Sequence, residues 1–246
     1  MRYLILSDIH ANIDAFDAVL EHASGVWDRV LVLGDLVGYG AEPNAVVDRV
    51  KELAPEAVIR GNHDKAACGI DDGSQFNHVA RLAAIWTGSQ LTPDNLEYIR
   101  GLPMGPLQID ALTEICHGTP FDEDHYVFDG NDAAMAVRAA SRPLCLFGHT
   151  HLPALFKVIE GTLDGIALDP DGDNVIPLQR GGRYLVNVGS IGQPRDCDPR
   201  AGYGVLDDET RELHAFRVPY PVEKAQQRIL AAGLPASLAN RLALGR

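Results

Sequence analysis

The chain has 246 residues, 46% hydrophobic and 22% charged, an ordinary globular composition long enough to bury a real core in one domain. Its 21 Lys and Arg against 34 Asp and Glu leave a net charge of −13, which argues against a nucleic-acid polymer or an anionic membrane as partner, since phosphate backbones are bound through positive charge. No apolar run approaches the ~18 residues of a membrane span, the N-terminus lacks a signal-peptide pattern, and Cys68, Cys116, Cys145 and Cys197 have no paired spacing, so the expected setting is the cytoplasm with reduced thiols.

In chain order, Tyr3–Leu6 is the first apolar run and ends at Ser7-Asp8. Ile13, Phe16, Val19, Leu20 and Ala23 then recur at helical spacing. Val30–Leu33 is a second run, ending in Gly34-Asp35, and Pro43 opens a helix with Val46, Val47, Val50 and Leu53 on one face. Ala57–Ile59 is a third run and ends in Arg60-Gly61-Asn62-His63-Asp64. Helical stretches are expected from about Phe76 to Gly88 and from Pro93 to Ile99. Glu114–Cys116 is a fourth run ending in His117-Gly118, and a helical stretch from Asp132 to Ala140 leads into Leu144-Cys145-Leu146-Phe147. That fifth run breaks into Gly148-His149-Thr150-His151.

Beyond residue 154 the pattern changes to short runs split by Gly, Asp and Pro: Leu155–Ile159, Ile166–Leu168 and Val175–Leu178, with Asp171-Gly172 as a hairpin signal. Leu185–Val188 returns to core-strand character, and Gly204–Leu206 with Leu213–Val218 reads as a closing hairpin. Two helical patterns, Val222–Leu230 and Ala236–Leu242, make 222–246 a C-terminal helical appendage on a single domain spanning 1–246. Their apolar faces pack on the chain's own sheet or on a second copy, so a homo-oligomer stays open.

Polar residues recur at strand ends. Five apolar runs finish in Gly, Asp, Asn or His, and in open sheets ligands bind beyond the carboxyl ends of the strands. Taken singly, each residue has a plain structural role. Asp8 can cap a helix, Asp35 can close a turn, His117 can be a core histidine, and His63-Asp64 or His149-x-His151 can be exposed loop. Asn12 reads as a cap or a loop support. Together they need many coincidences at one sheet edge, and imidazoles with carboxylates are metal ligands.

Asp8-x-His10, Gly34-Asp35, Gly61-Asn62-His63-Asp64, His117 and Gly148-His149-x-His151 resemble, in order and spacing, the calcineurin-like metallophosphoesterases, over about residues 3–207. The resemblance implies a four-layer αββα sandwich: two facing mixed β-sheets flanked by helices, a dimetal site at the strand ends, and the short strands after residue 154 in the second sheet. It implies two metal ions. Asp8, His10 and His151 would hold the first, Asn62, His117 and His149 the second, and Asp35 both. His63 would face the leaving group, with Asp64 fixing its orientation.

This donor set of carboxylates and imidazoles suits Mn, Fe or Zn better than Ca, which prefers oxygen alone. Two divalent ions bring four positive charges and the two aspartates return two, so an acidic chain would hold a local anion trap of about +2. The implied reaction is in-line attack of a dimetal-bound hydroxide on phosphorus, with His63 as general acid.

Arg195, and Asn62 beside the second ion, are candidates to touch substrate; a salt bridge with Asp196 or Asp198 is the other reading of Arg195. Tyr39 is expected in surface packing rather than on substrate. His78 and His125 are candidates to line the cleft that the sequence does not place, and His22 and His214 read as structural.

Protein serine/threonine phosphatases of this superfamily carry an Asp-Arg pair shortly after Gly-Asp. Here the stretch is Asp35-Leu36-Val37-Gly38-Tyr39-Gly40, without arginine. The expected substrate is therefore a small phosphodiester or nucleotide, as in bacterial phosphodiesterase-type members. A protein or dinucleoside-polyphosphate phosphatase is the alternative, and a scaffold on the same fold a further one.

Overall fold

The computed structural model describes residues 1–169 and 174–246, so the Asp171-Gly172 hairpin signal lies outside the described residues. In chain order the elements are β1 (Arg2–Leu6), α1 (Ile13–His22), β2 (Arg29–Val32), α2 (Pro43–Glu52), β3 (Ala57–Val58), α3 (Asn62–Ala67), α4 (His78–Gln90) and α5 (Pro93–Arg100). They continue with β4 (Leu107–Gln108), β5 (Thr113–Ile115), α6 (Gly130–Ala139), β6 (Leu144–Leu146), β7 (Ala154–Ile159), β8 (Thr162–Ala167) and β9 (Asn174–Pro177). The chain closes with β10 (Arg183–Asn187), β11 (Ala201–Asp207), β12 (Glu212–Val218), α7 (Val222–Ala231) and α8 (Ala236–Leu242).

Two six-stranded mixed sheets result, ordered β3-β2-β1-β11-β12-β9 and β4-β5-β6-β10-β7-β8. Alternation along β1 shows how they are layered. Tyr3 and Ile5 join Leu31, Leu33, Ile115, Leu144, Leu146, Tyr184 and Val186 in a core between the sheets. Leu4 and Leu6 face the other way, onto Phe16 and Val19 of α1 and Val46, Val47 and Val50 of α2. On the second sheet's outer side, Cys145, Phe147 and Leu185 meet Ala133, Ala136 and Val137 of α6. The expected helix–sheet–sheet–helix sandwich is what forms. Strands covered on both faces must be apolar at every position, which is why the runs read as unbroken rather than alternating.

Three local features depart from the sequence reading. The strands after residue 154 do not all join the second sheet. β7, β8 and β10 do, but β11 pairs antiparallel with β1, and β12 and β9 follow it into the first sheet. Pro177 is tolerated because β9 is an edge strand. Strand β4 was not expected, being only two residues long. The run Asn62-His63-Asp64, read as strand-end loop, opens helix α3, whose N-cap Gly61 has extended backbone and donates its N–H to Asp64 Oδ2 at 2.9 Å.

Asn12 caps α1 as expected, accepting from Ala15 N at 3.1 Å. The tail helices are covered by the chain itself, chiefly through α1 rather than the sheet. Ala225, Ile229, Leu238 and Leu242 share the core cluster of Phe16 and Val19. Asp14 of α1 takes Lys224 Nζ at 2.7 Å and Arg228 Nε at 2.9 Å. The four cysteines are free thiols, and Cys116 and Cys145 are buried. Among the described residues no helix is long and apolar enough to cross a membrane.

Candidate metal centre

β1, β2 and β3 run parallel in one sheet and β5 and β6 in the other. Their carboxyl ends place Asp8, Asp35, Asn62, His117 and the His149–His151 pair along one edge of the sandwich. The backbone there is turned tightly. Asp8, His10, Asp35, His149 and His151 all have positive φ, between 49° and 66°. For residues with a side chain this costs about 1–3 kcal/mol each, and such conformations persist where the surroundings enforce them. Here the enforcement is visible. Asp8 N donates to Gly34 O at 3.1 Å, and His10 N to Asp35 O at 3.0 Å. Ser7 Oγ donates to Asp8 Oδ2 at 2.7 Å, and His149 N to Asp8 Oδ1 at 3.1 Å.

The side chains gather into two buried groups: Asp8, His10, Asp35 and His151, and Asp35, His117 and His149, the donor atoms of each group lying within 4.8 Å of one another. Asp35 belongs to both, as a bridging ligand must. Asn62 joins the second group, its Oδ1 3.3 Å from His117 Nε2.

The tautomers are dictated by main-chain carbonyls, which can only accept. His10 Nδ1 donates to Val37 O at 3.1 Å, His151 Nδ1 to Gln193 O at 2.6 Å, and His117 Nδ1 to Leu33 O at 2.8 Å. Each of these rings therefore turns Nε2 inward. His149 is the reverse: Nε2 donates to Asp124 O at 3.0 Å, leaving Nδ1 for the centre. Carbonyl support of the far ring nitrogen is how metal-binding histidines are usually held.

What faces what inside is chemically incomplete without cations. His10 Nε2 and His151 Nε2 stand 3.0 Å apart. His117 Nε2 lies 3.4 Å from Asp35 Oδ2. Asp35 Oδ2 is buried with no hydrogen-bond partner among the described residues, although Oδ1 accepts from His63 N at 2.9 Å. Buried lone pairs aimed at one another need a positive centre between them, and two divalent ions fit these two groups.

The charge balance of the protein alone agrees. Burial holds His10, His149 and His151 well below the usual imidazole range, with His117 a further cause at His149 and Arg195 at His151. They are neutral at pH 7, the form in which an imidazole can take a metal ion. Burial pushes Asp8 up to about 6. Burial likewise pushes Asp35 up, but His117, His63 and His10 outweigh it and hold the carboxyl well below its ordinary value. At His117 burial acts downward, yet Asp35 and Asp8 carry the imidazole up to about 10, the mark of a strongly negative centre.

His63 is buried beside the first group, its ring centred 5.0 Å from that of His10, 4.2 Å from Tyr39 and 4.5 Å from Phe76. Burial drives it down to about 4. Asp64 does not touch this imidazole, contrary to the role expected of it. Its oxygens accept from Gly61 N and from Val37 N at 3.1 Å, and His63 Nδ1 has no partner among the described residues. The carboxylate sits at the third position of α3, where it closes the helix N-terminus, so it fixes the backbone that carries Asn62 and His63. The loop salt bridge considered for Arg195 does not form either. Asp196 pairs with Arg217 and Asp198 with Arg200. Arg195 instead faces Tyr39, its Nη2 3.4 Å from the hydroxyl.

Tyr39 is buried at the centre rather than packed on the surface. Tyr126, unremarked in the sequence, stacks on His149 at 3.8 Å. Neither carries a motif signal, because an aromatic residue in a loop looks the same wherever the loop folds. His125 lies apart, 3.2 Å from Asp132, and His22 and His214 are structural as expected, bonded to Tyr203 and paired with Glu212.

Comparisons with known proteins point the same way. Residues 1–211 match the family model described as the calcineurin-like phosphoesterase superfamily domain. An uncharacterized protein of Methanocaldococcus jannaschii is 32% identical over 246 residues, covering 98% of this chain and 97% of that one. The crystal structure of a metallophosphoesterase from Sphaerobacter thermophilus is similar over 100% of both chains, at 38% identity and a TM-score of 0.87. A hypothetical protein from Pyrococcus horikoshii shares the fold over 100% of this chain and 98% of its own, at 20% identity and a TM-score of 0.82.

Proposed function

The chain belongs to the calcineurin-like phosphoesterase superfamily, and on that premise we propose that it is a two-metal hydrolase of small phosphodiesters or nucleotides. The observation that carries the reading is the pair of buried ligand groups sharing Asp35. Asp8, His10 and His151 would hold one ion, Asn62, His117 and His149 the other, and Asp35 both. Bound there, Mn, Fe or Zn would supply positive charge to the phosphoryl oxygens and acidify water.

The remaining chemistry belongs to the chain. Arg195, beside Tyr39, presents a guanidinium to an anion entering the centre. His63 Nδ1 lies against Gly38, so Nε2 is the nitrogen from which a proton would pass to the departing oxygen. That imidazole is neutral at pH 7, because burial lowers it to about 4. The negative charge of an incoming phosphate favours the protonated form and readies the acid. Tyr39 and Phe76 exclude water around it.

A diester is favoured over a phosphoprotein because no arginine stands between Asp35 and Gly40 to grip a dianionic monoester. The test is hydrolysis of bis-p-nitrophenyl phosphate, p-nitrophenyl phosphate and a phosphopeptide with Mn²⁺. The diester is expected to be turned over fastest. Absence of turnover with every divalent metal, in a folded sample, overturns the reading.

A further inference from the structure

Resting on the reading just given, we propose that a cavity beside the second ligand group receives the ester group that stays on the phosphate, and that this group is an uncharged aromatic ring on a short spacer, as a nucleobase is on its sugar. The cavity has a volume of about 710 Å³ and lies between the loop entering α6 and the strands β7 and β8. Small-molecule pockets span about 300–1,000 Å³.

Its walls continue from the segments that build the metal centre. Thr150, between His149 and His151, lines it, as does Leu152 just beyond them. Phe128 lines it from the loop before α6. The ring of Phe128 stacks on that of Tyr126, with centroids 5.0 Å apart and planes 5° from parallel. Tyr126 in turn stacks on His149. Two aromatic steps thus lead from a metal-ligand candidate to the cavity wall.

The walls suit a flat, uncharged occupant. Phe128 is 70% exposed, and an open phenyl ring at a cavity wall is apolar surface that a second ring can cover by stacking. Phe147 and Phe156 line the same space. Gly165 and Ala167 alternate along β8 and share one of its faces. A Cβ on Gly165 would stand 3.0 Å from Phe156 Cδ1, so the glycine keeps this wall open. Among the described residues the charged ones lining the cavity, Asp129 and Asp196, are both acidic, which disfavours a second phosphate there.

The position also fits the proposed chemistry. His63, which would protonate the departing oxygen, stands against His10 in the first ligand group. Tyr126 stands against His149 in the second. The group that leaves and the group that stays therefore face different ligand groups, and the cavity serves the one that stays.

The experiment compares three diesters with one leaving group: the p-nitrophenyl esters of thymidine 5′-phosphate, methyl phosphate and octyl phosphate, on the full chain with Mn²⁺. Wild type, Phe128→Ala and Ala167→Trp are used, with melting temperatures to verify folding. In wild type, kcat/KM for the thymidine ester is expected to exceed that for the methyl ester about tenfold, the factor of one stacked base. The ratio should fall below about threefold in Phe128→Ala, which removes the stacking face, and in Ala167→Trp, which fills the cavity.

Equal kcat/KM for the thymidine and methyl esters in wild type overturns the proposal, as does a ratio that survives intact in either folded variant. An octyl ester preferred over the thymidine ester also overturns it, since the occupant is then an apolar chain. Should neither variant fold, the wild-type comparison still decides. Should no diester be turned over, the hydrolase reading fails by itself, and calorimetric binding of the same three uncleaved diesters decides the subsite by the same ratios.

Discussion

His10 and His151, 141 residues apart in the chain, meet Nε2 to Nε2 at 3.0 Å. Each gives its Nδ1 proton to a main-chain carbonyl, on Val37 and Gln193. Two inward lone pairs at that distance repel unless a cation lies between them, and burial keeps both rings from taking protons of their own.

Metal loading should therefore stabilise the fold. Protein prepared with Mn²⁺ is expected to carry two ions per chain by elemental analysis. It should melt well above the chelator-treated form, since ligand at 100 times its Kd adds about 2.7 kcal/mol. In His151→Ala the ion content should drop towards one. Identical melting curves with and without chelator would count against a metal centre here.

His63→Ala should keep its metal and lose rate according to the leaving group. Aryl phosphodiesters, whose leaving oxygens need little protonation, are expected to lose about tenfold or less. Alkyl esters should lose about 10²–10⁴-fold, the usual contribution of a positioned acid. Steady-state rates across a series of leaving groups test this, and a uniform loss would show that His63 acts in another way.

Gly38 is required twice over. Its φ is +90°, and a Cβ there would lie 2.7 Å from His63 Nδ1. Gly38→Ala should cost about 1–3 kcal/mol of stability, read by urea unfolding, and lower kcat by displacing the imidazole. An alanine variant with wild-type rate and stability would contradict this placement of His63.

Asp64 acts on the backbone, so its removal should not resemble loss of an acid. Asp64→Ala strands the buried N–H groups of Gly61 and Val37, at about 1–3 kcal/mol for each unsatisfied donor. Activity should fall with stability and metal affinity together while the pH profile keeps its shape. A moved pH profile at unchanged stability would instead mean that the carboxylate tunes His63 directly.

Alkaline pH should weaken the fold through two tyrosines. Burial raises Tyr203 and Tyr220 from 10.0 to about 12. Between those values the unfolded chain has released these protons and the folded chain has kept them. Stability present below pH 10 is therefore lost as pH climbs towards 12. Urea unfolding at pH 8 and pH 11 should show a smaller decline in Tyr203→Phe than in wild type; equal declines would mean the phenol does not contribute.

Much of this protein was legible in one dimension. The unbroken apolar runs specify strands covered on both faces, and Asp8, His10, Asp35, His117, His149 and His151 stand at or just beyond the ends of such runs, because parallel strands in a covered sheet leave only their ends free for chemistry. What the sequence could not decide is whatever depends on which remote segments meet. The return of β11 and β12 to β1 is set by three-dimensional closure, not by their own residues. The tautomers rest on the carbonyls of Leu33, Val37, Asp124 and Gln193, and a main-chain carbonyl is the same at every position of a sequence. Tyr39 and Tyr126 gain meaning only from neighbours that folding brings to them. Asp64, adjacent to His63 in the chain, turns away from it because the two open N–H groups of a helix start and a loop lie closer to its reach than the imidazole does.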